Sequence, residues 1–170
     1  MPEIDVVRTY LEMRDPADLH AARSTDPSVA LTHVRECTPE RYRRLYRDVG
    51  ERWHWRDRLA WSDERLAEYL ADPRVEVWEI TVGGETAGYF ELRRERGETE
   101  IVYFGLVERF HGRGLGKHLL TEAVTRAWAG GATRVWLHTC TLDGPAALPN
   151  YEARGFRRVR SETYRTTILG

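Results

Sequence analysis

The run His111-Gly112-Arg113-Gly114-Leu115-Gly116-Lys117 has the composition of a phosphate-binding loop. It follows an apolar segment, residues 101–107, that reads as a buried strand. It opens a segment in which Leu115, Leu119, Leu120, Ala123, Val124, Ala127 and Trp128 recur at the helical period of about 3.6 residues, which puts one face on a core. Glycine lets the backbone come close to a ligand. The N–H groups of a first helical turn lack intrahelical partners, and the positive end of the helix dipole favours an anion there. Arg113 and Lys117 add positive charge. The chemistry expected is a pyrophosphate cradle.

Three kinds of site use such a loop. A P-loop needs G-x-x-x-x-G-K-[S/T]; here its first glycine would fall on His111 and its hydroxyl on His118, so magnesium would lose a ligand. A dinucleotide fingerprint, G-x-G-x-x-G, would put its third glycine on Lys117, and the next strand ends in His138 rather than an acid. The third is a coenzyme A loop. On the run alone, a glycine-rich turn that binds nothing stays open.

The surroundings narrow the choice. His111-Gly112-Arg113-Gly114-Leu115-Gly116 resembles the Q/R-x-x-G-x-G/A signature of the GNAT superfamily of acyl-CoA-dependent N-acetyltransferases, with His in place of the leading Gln or Arg. Upstream, Glu100-Ile101-Val102-Tyr103-Phe104-Gly105-Leu106 resembles the central strand of the superfamily's histone-acetylating branch, whose Glu is the general base. Downstream, residues 146–156 (Ala-Ala-Leu-Pro-Asn-Tyr-Glu-Ala-Arg-Gly-Phe) resemble the segment A-x-x-L-Y-E-x-x-G-F, whose Tyr is commonly the general acid. The resemblance covers about residues 75–160. Residues 1–74 find no match and are expected to form the first strands and the acceptor-side helices of one N-acetyltransferase domain, residues 1–170.

That resemblance implies an acetyl group moved from acetyl-CoA, with no metal, to a primary amine of a small molecule by direct attack in a ternary complex. Acetylation of a protein N-terminus or lysine, and a non-catalytic acyl-CoA sensor, are the alternatives. Glu100 is the expected base, since partial burial in an apolar strand would raise its pKa; Glu91 and Glu98 compete for the role. Tyr151 is the expected acid for the leaving thiolate. Phe104, Gly105 and Leu106 should line the acetyl group, because a strand glycine marks a bulge or a close approach. His111, Gly112, Arg113, Gly114, Leu115, Gly116 and Lys117 form the cofactor loop. Many relatives carry an Asn seven residues before the Tyr; here that position is Gly144, and Asn150 could supply the pantetheine contact instead. Cys140 reads as an inert lining residue, since no base stands at a motif spacing.

For the acceptor, Trp53, Trp55 and Trp61 alternate with His54, Arg56 and Arg58 where relatives place acceptor-covering elements. An ordinary core and a pocket wall explain the tryptophans equally well. Trp53, Trp55, Arg56 and His138 are the substrate-side candidates, and Arg56 or Arg58 would suit a carboxylate.

Composition sets the bounds. A chain of 170 residues, 41% hydrophobic and 31% charged, suits one compact soluble domain. Its net charge of −1 gives no basic face for nucleic acid. Arg41, Arg43, Arg44 and Arg47 fall opposite Tyr42, Leu45, Tyr46 and Val49, as a solvated helix face would. Two cysteines form neither a metal motif nor a disulfide framework. With no signal-like N-terminus and no apolar run near the ~20 residues that span a membrane, the expected site is the cytoplasm, away from membranes. A homodimer would match many relatives.

Strands are expected over residues 5–13, 29–34, 75–82, 87–94, 100–107 and 134–139, with a last strand or pair over 156–168. Helices are expected from Thr38-Pro39 to about Val49, from Ser62 to near Asp72, over 114–128 and over 145–154. Gly83-Gly84 and Arg96-Gly97 read as hairpin turns. A strand–loop–helix–strand crossover demands a parallel pair. The fold class expected is α/β (α+β): a mixed, twisted sheet with helices on both faces. This is also the acyl-CoA N-acyltransferase (GNAT) fold, in which two parallel strands splay to admit the cofactor.

Overall fold

A computed structural model describes residues 3–167. Seven strands form one sheet: β1 (Glu3–Met13), β2 (Val29–His33), β3 (Val75–Val82), β4 (Glu85–Glu95), β5 (Glu98–Leu106), β6 (Arg134–Cys140) and β7 (Arg157–Thr167). Four helices accompany them: α1 (Pro39–Gly50), α2 (Asp63–Ala71), α3 (Leu115–Ala129) and α4 (Ala147–Ala153). Strand order is β2-β3-β4-β5-β6-β1-β7, and β5–β6 is the parallel pair.

Local chemistry sets the boundaries. Thr38 and Ser62 accept the Arg41 and Arg65 N–H groups as N-caps of α1 and α2, and Pro39 takes the first position of α1. In both hairpins two residues have positive φ: Gly83 and Gly84 between β3 and β4, Arg96 and Gly97 between β4 and β5. That is the twist two-residue hairpin loops require. Strands β4 and β5 start two residues earlier than the sequence suggests, since pairing begins beside these turns. The C-terminal segment is one strand rather than two; the expected end at Ile168 lies outside the described residues.

Two cores lie on opposite faces of the sheet. Leu119, Leu120, Ala123, Val124 and Ala127 of α3 are fully buried with Leu11, Phe90, Leu92 and Val135. Tyr42, Leu45, Tyr46 and Val49 of α1 pack with Leu66, Val77 and Tyr89 on the other side. Sequence does not reveal where β1 goes. It lies between β6 and β7, antiparallel to both, with Arg8 opposite Cys140 and Glu162. The arginine face of α1 is solvated only in part: Arg41 bonds Glu79 (2.6 Å), and half-buried Arg43 bonds Asp63 (2.8 Å) and the Trp61 carbonyl (2.9 Å).

An ionic knot holds the segment between α1 and α2 against the sheet. Glu91 of β4 is fully buried. It accepts hydrogen bonds from Tyr42 of α1 (2.5 Å), from Tyr69 of α2 and from Arg58 (3.2 Å). The Arg58 guanidinium lies 4.1 Å from the Trp61 ring centroid and 4.7 Å from that of Tyr69. A buried ion pair is costly to break by halves, because the remaining charge keeps its desolvation penalty. Glu91→Ala is therefore expected to destabilise the protein by about 3–5 kcal/mol. Urea unfolding should show a lower midpoint at unchanged slope; an unaltered midpoint would mean that the knot contributes nothing.

Candidate active site

The loop before α3 has the geometry its glycines imply. Gly112 (φ 78°) and Gly114 (φ 74°) are left-handed, and Gly114 occupies the cap position of α3. Among the described residues no side chain caps that helix, so its first N–H groups face outward unpaired. His111 lines the cavity and is held in place by two neighbours. Its Nε2 donates to the Leu106 carbonyl (3.2 Å), and its ring stacks on Trp53 with centroids 6.2 Å apart. The side chain thus braces the loop to the end of β5. Arg113 turns onto the Phe110 ring, 5.2 Å from its centroid, while Lys117 stays at the site.

Strands β5 and β6 pair only from Glu98–Arg134 to Glu100–Trp136. Immediately beyond, the β4–β5 register slips: Leu92 faces Ile101, but Glu91 faces Tyr103, leaving Val102 as an extra residue on β5. Such a bulge bends its strand and raises its twist. β5 veers toward β4, where Gly88 admits it; a Cβ at Gly88 would lie 2.3 Å from the Gly105 oxygen. A cavity of about 750 Å³ occupies the opened space. Every expected site residue lines it except Arg113.

Glu100 stands where the two strands part, 6% exposed, with Arg93 donating to it at 2.7 Å. Burial raises its pKa, against the opposing pull of Arg93. The competing acids are occupied elsewhere: Glu91 is fully buried in its knot, and Glu98 pairs with Arg134 at 3.2 Å. Tyr151 of α4 packs edge-on to Phe104 and Phe156. Burial is the main cause holding its pKa far above the ordinary phenol, and Asp143 and Cys140 add to it. Asn150 lines the cavity while its Nδ2 donates to the Gly116 carbonyl (3.2 Å), clipping α4 to α3. Gly144, the position of the missing Asn, is covered by Trp53, whose ring lies 2.9 Å from where a Cβ would stand. Burial pushes the Cys140 thiol up, as an inert lining residue requires.

The tryptophans divide. Trp53 and Trp55 line the cavity, while Trp61 packs away from it against Tyr69 and Arg65. Trp55 fits against Gly50, where a Cβ would stand 2.3 Å from its ring, and against Tyr103. Gly105 is a close approach, made by Val49 of α1, which would lie 2.6 Å from a Cβ there. Both expected arginines line the cavity with partners of their own: an Nη of Arg56 donates to the Thr167 carbonyl (2.6 Å), and Arg58 belongs to the Glu91 knot. His138 is accessible yet overhung by the cavity walls, which lower its pKa with help from Arg8. The structure adds residues that sequence reasoning passed over: Arg8 of β1, Tyr164 and Thr166 of β7, Arg93, and Asp57, which accepts from Tyr103 at 3.3 Å. The alternation of β1 signalled a second face carrying Arg8 and Tyr10, but not which strands flank it.

Among the described residues no group of three or more His, Cys, Asp or Glu is placed to hold a metal ion. No described helix is long and apolar enough to cross a membrane.

Comparison with known proteins agrees with this geometry. A mycothiol acetyltransferase of Corynebacterium aurimucosum is 31% identical over 91% of this chain, which spans 58% of that protein's length. An uncharacterised N-acetyltransferase of Mycobacterium bovis is 31% identical over 61% of the chain and 67% of its own length. A GCN5-related N-acetyltransferase from Kribbella flavida superposes with a TM-score of 0.68 at 19% identity, covering 96% of this chain and 58% of that one. An aminoglycoside acetyltransferase from an uncultured soil metagenomic sample gives 0.64 at 15% identity, over 77% of this chain and 90% of that one. At such identities the likeness of the structures concerns the fold. The acetyltransferase (GNAT) family matches residues 40–156, and the chain belongs to that family.

Proposed function

We propose that the protein moves an acetyl group from acetyl-CoA to a primary amine of a small molecule, with Glu100 as base and Tyr151 as acid. One observation carries the reading: a single cavity joins the unpaired N–H groups of α3 to a buried carboxyl and a buried phenol. The mycothiol acetyltransferase relative supports a small-molecule acceptor. The continuous sheet, whose first strand lies between the sixth and the last, supports residues 1–170 as one acetyltransferase domain.

The residues fit the cofactor. Gly112, Gly114 and Gly116 leave room for a diphosphate against the N–H groups of Leu115, Gly116 and Lys117, and the Lys117 ammonium balances its charge. Acetyl-CoA would supply a thioester carbonyl carbon as electrophile. Past the bulge, the β6-facing edge of Phe104, Gly105 and Leu106 has no ladder partner, so its N–H groups can hold that carbonyl oxygen. Glu100, with its raised pKa, takes the proton of the incoming ammonium. Tyr151 keeps its proton at neutral pH, gives it to the sulfur as the C–S bond breaks, and regains a proton from the nitrogen as the new C–N bond becomes an amide.

Titration calorimetry should register saturable binding of acetyl-CoA; no heat at millimolar dose would end this reading. Gly114→Val places a β-branched residue at φ 74°. It should cost about 1–3 kcal/mol of stability and weaken acetyl-CoA at least tenfold, as strain of this size implies. Unchanged affinity would mean that the loop is not the cradle.

Tyr151→Phe keeps the ring contacts and removes the hydroxyl. It should lower kcat by roughly 100-fold with acetyl-CoA affinity unchanged. An equal kcat, with chemistry rate-limiting, would remove Tyr151 from the scheme.

Glu100 has a folded-state pKa above its unfolded value. Between the two values the folded protein holds a proton that the unfolded chain has released, so stability falls as pH rises through that window. Glu100→Gln should flatten this dependence in thermal melts from about pH 4.3 upward and remove the acidic limb of kcat/KM. A persisting limb would assign the base elsewhere.

A further inference from the structure

The acceptor side of the cavity carries a cation whose hydrogen-bonding capacity is only partly used. On β1, Leu11 and Met13 enter the core beneath α3, so strand alternation puts Arg8 and Tyr10 on the opposite face. Arg8 of that face lines the cavity with His138 of β6 and Tyr164 of β7, as do Trp55 and Asp57 of the segment between α1 and α2. The other arginines of this wall are held by shorter bonds, Arg93 to Glu100 (2.7 Å), Arg58 to Glu91 (3.2 Å) and Arg56 to a backbone carbonyl (2.6 Å). Arg8 is not. Its Nη1 reaches Glu162 at a long 3.4 Å, its guanidinium lies 4.8 Å from the Tyr164 ring centroid, and its buried Nε finds no partner among the described residues. About a third of the side chain is exposed. The Nε is sealed from the cavity, so what the partly exposed side chain offers is its Nη end, where a planar guanidinium can match a carboxylate in two parallel hydrogen bonds. Exposed Asp57, also on the cavity wall, offers the opposite charge, as an ammonium would need.

We propose that Arg8 anchors a carboxylate of the acceptor, so that the amine acetylated belongs to an amino acid or a similar small zwitterion. The inference rests on the acetyl-transfer reading and narrows its substrate class. β1 then has two tasks: it joins β7 to the sheet and brings the anchor to the site.

The test reads binding, without turnover. A panel of N-acetyl amino acids and their primary amides, the products of the two acceptor classes, is titrated calorimetrically into the wild type, Arg8→Gln and Arg8→Lys. In the wild type the free acids should bind at least tenfold tighter than the amides. Arg8→Gln should bring the acids to the level of the amides, while Arg8→Lys, which keeps the charge and loses the fork, should retain part of the margin. Equal binding of acid and amide in the wild type overturns the proposal. So does a margin that survives Arg8→Gln, or an equal loss of both ligands in that variant, which would make Arg8 structural. If acetyl-CoA binds and neutral amines turn over while the acids show no margin, the anchor alone fails. If acids bind through Arg8 and acetyl-CoA gives no heat, the anchor stands and the transferase reading fails.

Discussion

The site depends on a sheet that stops pairing partway along two of its strands. β5 and β6 share three register pairs and then separate. Backbone N–H and C=O groups rarely forgo partners when sheltered from water. Separation of this kind therefore needs a cause and invites a ligand. The cause is local and steric. The extra residue at Val102 bends β5 just past the last shared pair, and Gly88 lets its far end press onto β4. Gly105 then permits α1 to press close through Val49. A side chain at Gly88 would collide with the β5 backbone at Gly105, and one at Gly105 would collide with Val49 of α1, so both glycines are required for this packing.

Opening a sheet exposes its interior, and the second core answers that problem. The Glu91 knot ties one residue from each of α1, α2, β4 and the segment between the helices. Such a cluster contributes less net stability than an apolar one of equal size. It does fix geometry, because Arg58 can satisfy its partners in few arrangements. Trp55 is held the same way, by Gly50 on one side and Tyr103 on the other. On this side the cavity wall is an aromatic surface in which Arg58 and Trp55 are held by neighbours of the protein.

Local features were readable from the chain. The N-caps at Thr38 and Ser62, the paired positive-φ residues at both hairpins and the helical spacing after Gly114 are each encoded within a few residues. So was the loop–strand–tyrosine order that gave the family. What escaped depends on distant partners. β1 pairs with strands more than 120 residues away, and periodicity cannot choose among sheet neighbours. For the same reason sequence points to Arg56 and Arg58, which line the cavity with a carbonyl and a buried carboxylate as partners, but not to Arg8, which lines it from β1. His111 and Asn150 fill motif positions yet spend their side chains on carbonyls of β5 and α3. A motif fixes where a backbone goes more firmly than what each side chain touches.

Burial in the same cleft bears on the two groups proposed as base and acid, with different consequences. It disfavours the charged form of each, so the carboxyl of Glu100 and the phenol of Tyr151 both hold their protons more tightly. For a carboxyl that starts low, this moves the pKa toward the range where a base is useful, with Arg93 limiting the rise. For a phenol that starts high, it secures the proton an acid must carry. In the proposed reaction, one desolvated cleft therefore prepares a base at the mouth where β5 and β6 part and an acid on α4. The two roles follow from where each group starts on the pH scale.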